Sequence, residues 1–191
     1  MNHITIPGNP NEYFVLFHGT GGNEYSRLEQ AGDIDPHMSV LSFQGNVGEG
    51  KSRRYFESLV NGKLPRKNSD LKVAEFLTLW DEIKPVDAKF TFMGHSNGAN
   101  FILAILEKRP DIADAVILLH PSNLDYAFIE GSDVPIFMTI GARDTLSLPS
   151  EGLALSNRLK EWFPNTEHVL LDTGHEITPV EVDKAKLFLG K

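Results

Sequence analysis

The chain has 191 residues, 41% of them hydrophobic, a formal charge of -8 and no cysteine. That length supports one sizeable core, so a single domain over 1–191 is expected, and any covalent catalysis must use a side chain other than a thiol. The acidic balance disfavours a nucleic-acid or anionic-membrane surface, since phosphate binding needs concentrated positive potential. No apolar run approaches the ~20 residues of a membrane span and the start lacks the pattern of a secretory leader, so a cytoplasmic location is expected.

Taken in chain order, the first strand-length apolar run is YFVLF (Tyr13 to Phe17), followed by the glycine-rich HGTGG. MSVLSF (Met38 to Phe43) comes next, and then a long irregular region, 44–68, of the length that marks a binding loop over a site. NSDLKVAEFLTLWDEI has helix-period apolar positions. KFTFMG (Lys89 to Gly94) leads through a serine flanked by glycines into the helical NGANFILAILEKRP. AVILLH (Ala115 to His120) and PIFMTIG (Pro135 to Gly141) are two more buried strands, and helices are expected over 149–163 and in PVEVDKAKLFLG, with HVLLD (His168 to Asp172) between them. Near-continuous apolar strands alternating with amphipathic segments predict an α/β fold: an open, mostly parallel sheet of about six strands with helices on both faces. In such sheets the ligand crevice lies beyond the carboxyl ends of the strands, so the residues just past each strand are the candidates for function.

After the third run stands Gly94-His95-Ser96-Asn97-Gly98. A serine in a sharp strand-to-helix turn projects its hydroxyl out of the sheet, and the helix N-terminus behind it offers amide donors to an oxyanion. The hydroxyl needs a base, and the base needs an orienting acid. His175, in a Gly-containing loop after the last strand, is the expected base, with His120 at another strand end as competitor. Asp144, after the fifth strand, is the expected acid, with Asp125 as its rival. The loop His18-Gly19-Thr20-Gly21-Gly22 suits a second amide donor, so the N–H groups of Thr20 and Asn97 are the candidate oxyanion hole.

FHGTGGNE, GNVGEGKSRRYFE, GHSNGAN, GARD and TGHEI together resemble the α/β-hydrolase superfamily, and within it the small carboxylesterase/phospholipase branch near the acyl-protein thioesterases and the bacterial hydroquinone-resistance hydrolases. The resemblance runs from about Tyr13 to the C-terminus and implies a serine, aspartate and histidine used in that order, hence Ser96, Asp144 and His175. It implies a small-molecule ester or thioester as substrate, with no cofactor and no metal. Against the family's pattern the chain is short at its N-terminus, and His120-Pro121 brings an extra imidazole toward the crevice. Tyr55, Phe56 and His120 are accordingly expected to line the substrate pocket, under a covering loop at 44–68. Whether the protein forms a homodimer is open at this stage.

One motif competes. Gly45-Asn46-Val47-Gly48-Glu49-Gly50-Lys51-Ser52 fits the phosphate-loop pattern G-x-x-x-x-G-K-[ST] and comes after a strand. A phosphate loop should run straight into a long helix, whereas RRYFESLVNGKLP allows about two turns before Gly62 and Pro65. Nucleotide binding, and a non-catalytic binding module on the same fold, remain the alternatives. His175-Glu176 opens a zinc-protease pattern, but Pro179 stands where the second histidine belongs. Six basic residues between Lys51 and Lys67 form either a solvated loop face or a patch for an anionic substrate group.

Overall fold

The computed structural model describes residues 1–191. Seven strands form one sheet: β1 (Asn2–Ile6), β2 (Asn9–Phe17), β3 (Met38–Gln44), β4 (Lys89–His95), β5 (Ala115–Leu119), β6 (Ile136–Gly141) and β7 (Thr166–Leu171), in the spatial order β1-β3-β2-β4-β5-β6-β7. All neighbours are parallel except β1, which pairs antiparallel with β3 at the edge. The helices are α1 (Leu28–Ile34), α2 (Arg66–Ile83), α3 (Asn97–Leu106), α4 (Pro149–Trp162) and α5 (Pro179–Phe188). The α/β class is as expected, with one strand more than six. The additional strand, NHITI, is mostly exposed and therefore lacks the apolar run by which the others are read.

Side chains of consecutive strand residues point to opposite faces, so one apolar strand feeds two cores. Val15 and Phe17 join a cluster of 33 buried residues beneath α2, α3 and α4, whereas Phe14 and Leu16 join a cluster of 12 with residues of α1 and α5. Phe17 anchors the larger core, with its ring against Phe43, Tyr55, Phe76, Phe92 and Phe101. Helix α3 is buried at all ten positions, which explains why its sequence is apolar around its whole circumference. Helix α5 starts with Pro179 in the first turn, and Glu181 reaches back to accept the Thr178 N–H at 2.6 Å.

The chain leaves β2 for β3 on one side and returns to β4 on the other, so the strand order reverses beside β2. The carboxyl ends of β2 and β4 diverge there and open a crevice. The two segments that begin at that crevice are His18-Gly19-Thr20 and Ser96-Asn97.

The segment expected to be irregular over 44–68 is so up to Pro65, after which α2 begins at Arg66, and it is tightly held. Gly45 N–H donates to His18 Nε2 at 2.9 Å, Tyr55 N–H to Asn97 Oδ1 at 2.8 Å, and the Tyr55 hydroxyl to the Phe43 carbonyl at 2.7 Å. Its Gly50–Ser52 piece is a single 3-10 turn closed by Ser52 Oγ on the Glu49 carbonyl at 2.8 Å, and Val47 bridges back to Arg54. No helix succeeds it until Arg66, so the amide-lined helix start that a phosphate loop requires is missing from this motif. No helix of the chain is long and apolar enough to cross a membrane.

Candidate active site

Ser96 sits between β4 and α3 with φ 52° and ψ -116°, a left-handed conformation that costs a non-glycine residue about 1–3 kcal/mol. The flanking glycines are required by space. A Cβ on Gly98 would lie 2.4 Å from the Phe17 carbonyl oxygen, and one on Gly94 would lie 2.7 Å from the Ala99 nitrogen. The strained turn is held by the Ser96 N–H donating to the Leu119 carbonyl at 2.8 Å.

Three residues distant in the chain converge on this turn. The Ser96 hydroxyl is 2.8 Å from His175 Nε2, and His175 Nδ1 is 2.7 Å from Asp144 Oδ2. Asp144 is buried, and its other oxygen accepts the N–H groups of Leu146 at 2.8 Å and Ser147 at 2.9 Å. Burial pushes the Asp144 carboxyl up. The Ser147 amide, His175 and the Leu146 amide outweigh it and hold the group below the usual aspartate value. An ionised carboxylate on Nδ1 fixes that nitrogen as N–H and leaves Nε2 free to take the serine proton.

The loop from β2 completes the cleft. His18 is buried, joins its Nδ1 to the Gly19 carbonyl at 2.7 Å and accepts from Gly45, so it acts as a clamp on the HGTGG turn. Gly21 N–H donates to the Arg53 carbonyl and Gly22 N–H to the Gly19 carbonyl, whereas neither Thr20 N–H nor Asn97 N–H donates to any protein acceptor. Both residues line a cleft of about 570 Å³ together with Ser96 and His175. Its only apolar walls are Phe56, Leu59 and Leu146. A second cavity, of about 470 Å³, lies between Trp80 and Ile112 and contains none of these residues.

Phe56 is therefore where the sequence places it, but Tyr55 and His120 are not. Tyr55 is wholly buried, its hydroxyl accepting the His18 N–H at 3.1 Å, and it supports the cleft from behind. His120 is 1% exposed and lies behind Asp144 rather than in the crevice. Its Nδ1 is 3.3 Å from the Asp144 oxygen that faces His175, and its Nε2 is 2.6 Å from Glu181 Oε1, at an angle too bent for a straight hydrogen bond. His120 is thus excluded as the base, and Asp125, exposed and remote from His175, as the acid.

Two features escape the sequence reading. Glu181 is fully buried beside His120, although its position in T-P-V-E marks it only as a helix-start residue. Burial raises its carboxyl, but His120 and the Thr178 amide bring it below the usual glutamate value. His95 is the other. Burial, above all, lowers its imidazole from the ordinary 6.5 to about 4, so it is neutral at pH 7, with Nε2 toward the His175 carbonyl at 2.9 Å. That bond fixes the loop on which His175 stands.

No family model matches the chain. It is 30% identical, across 97% of its length and 96% of the relative's, to a Bacillus subtilis (strain 168) protein named "Putative hydrolase MhqD". The N-terminal shortfall is not found against this relative. Among solved structures, a Bacillus cereus carboxylesterase superposes with a TM-score of 0.88 at 28% identity, covering 100% of this chain and 93% of that one. A protein of unknown function from Agrobacterium tumefaciens str. C58 superposes with 0.87 at 26%, covering 98% and 95%. Zea mays acyl-protein thioesterase 2, at 18% identity and a TM-score of 0.80 over 99% and 97%, shares the fold.

Proposed function

The chain belongs to the α/β-hydrolase superfamily, in its small carboxylesterase branch, and from that premise we propose that it hydrolyses carboxylic esters through an acyl-enzyme on Ser96. The observation that carries this reading is the unbroken line Ser96 Oγ, His175, Asp144, with contacts of 2.8 and 2.7 Å. Structural relatives that include a thioesterase extend the proposal to thioesters.

In the first half-reaction Ser96 Oγ attacks the carbonyl carbon while its proton passes to His175 Nε2. The carbonyl electron pair moves onto oxygen, where the amides of Thr20 and Asn97, the latter at the N-terminus of α3, stabilise it. Collapse breaks the bond to the leaving oxygen or sulfur, which takes the proton from Nε2 and departs as an alcohol or thiol. Water then gives a proton to Nε2 as its oxygen attacks the acyl carbon. Collapse returns that proton to Ser96 and releases the carboxylic acid. Asp144 stays ionised throughout and balances the transient imidazolium, a contribution on the order of 10⁴ in turnover. The 44–68 segment supplies one wall of the cleft through Phe56 and Leu59.

Turnover of 4-nitrophenyl acetate tests the reading. Wild type should release nitrophenolate catalytically, and Ser96→Ala should fall to the buffer rate. Equal turnover by both would remove Ser96 from the chemistry.

A further inference from the structure

The cleft that holds Ser96 is polar, and two of its walls are guanidinium groups. Arg66, Arg109 and Arg143 each hold a carboxylate, at 2.7, 2.7 and 2.9 Å. Arg27 and Arg54 line the cleft and hold none, in a protein with 26 acidic residues to choose from. The Nε of each is enclosed without an acceptor. The Arg27 side chain makes no hydrogen bond, and burial lowers its proton affinity, whereas Asp81 raises that of the paired Arg109. Two carboxylates lie toward Arg27, Glu176 and Glu29; both are exposed and neither forms an ion pair with it. Arg54 directs its amino groups to the hydroxyls of Ser58 and Thr20, the latter at 3.3 Å, which puts its charge on the loop beside the nucleophile.

An enclosed cation without a counter-charge is costly, and a guanidinium is the group best shaped to grip a carboxylate by two parallel hydrogen bonds. We propose that this cleft selects esters bearing a second, anionic group, a carboxylate, which Arg27 and Arg54 bind while Ser96 attacks the ester carbonyl. The inference rests on the esterase reading above. Among the residues that line the cleft, two guanidiniums face one carboxylate, Glu176, with Glu29 outside the lining, a balance that matches one negative charge better than a phosphate dianion. The scarcity of apolar wall, three residues, suits a short acyl chain rather than a fatty one.

Two substrate pairs test this by kcat/KM: monomethyl succinate against methyl butyrate, with the charge on the acyl side, and 4-acetoxybenzoate against its methyl ester, with the charge on the alcohol side. In at least one pair the carboxylate member should be preferred by about 10-fold, with the preference shrinking as added salt shortens the screening length. The ratio should collapse toward 1 in Arg27→Gln and Arg54→Gln and survive in part in Arg27→Lys and Arg54→Lys. Calorimetry gives a reading independent of turnover: succinate should bind Ser96→Ala and lose that binding when Arg27→Gln is added. Turnover of the neutral esters with both ratios near 1 and no succinate binding overturns the inference and leaves the esterase reading intact. Arginine-dependent succinate binding without turnover of any ester supports the anion site and overturns the esterase reading instead.

Discussion

Glu181→Gln isolates one charge in the interior. The substitution preserves size, and the glutamine oxygen can still accept the Thr178 N–H that Glu181 now accepts at 2.6 Å, so the start of α5 survives. What disappears is the negative charge 2.6 Å from His120 Nε2, at a site where both side chains are wholly buried. Removing the anion leaves the buried His120 ring nitrogen without its polar partner, a loss of about 1–3 kcal/mol. For a chain of this size each kcal/mol is worth roughly 2–4 °C in Tm, so a fall of about 2–12 °C is expected at pH 7.5. Glu181→Ala also loses the cap and should fall further, by about 1 kcal/mol. The pH dependence has a definite sign. The folded carboxyl sits below the ordinary 4.5, so its stabilisation is complete above that value and is lost as pH falls through the lower folded one. The gap between wild type and variant should therefore narrow in acid. Thermal unfolding monitored by circular dichroism at pH 7.5 and below 4.5 measures both effects. A variant within 1 °C of wild type at pH 7.5, or a gap that widens in acid, refutes the reasoning from this buried contact.

The geometry around Ser96 makes three further outcomes measurable. His95 is neutral in the fold, with a value near 4 against 6.5 when unfolded, so stability should drop by about 1.4 kcal/mol for each pH unit of acidification between those values, and urea unfolding should show a flatter dependence in His95→Gln. Ser96→Gly should abolish turnover yet be more stable than Ser96→Ala by about 1–2 kcal/mol, since only glycine relaxes at φ 52°; equal Tm values would mean the turn stores no strain. Gly98→Ala drives a Cβ to 2.4 Å from the Phe17 carbonyl and should lower kcat about 100-fold in a 4-nitrophenyl acetate assay by moving the elbow; unchanged kcat would mean the contact is absorbed elsewhere.

Much of this site was legible because its chemistry is local. Ser96, Asp144 and His175 each come after a strand that reads as a continuous apolar run, and the glycines around Ser96 announce a turn that no other residue type fits. Elements without such a signal were missed. LEQAGDI of α1 buries only Ala31 and Ile34, and β1 buries almost nothing. Contact between positions far apart was the other blind spot. Nothing in the sequence tells that Glu181 meets His120, or that Tyr55 turns inward to brace His18 while its neighbour Phe56 lines the cleft. The phosphate-loop pattern failed for a complementary reason: spacing was met, but the helix that gives the spacing its meaning begins only at Arg66.

The most direct test is to react the protein with a fluorophosphonate and map the adduct by peptide mass spectrometry. A single phosphonyl group on the Ser96 peptide, formed far more slowly in His175→Ala, is what the geometry demands. An unmodified protein, or an adduct at any other serine, contradicts it.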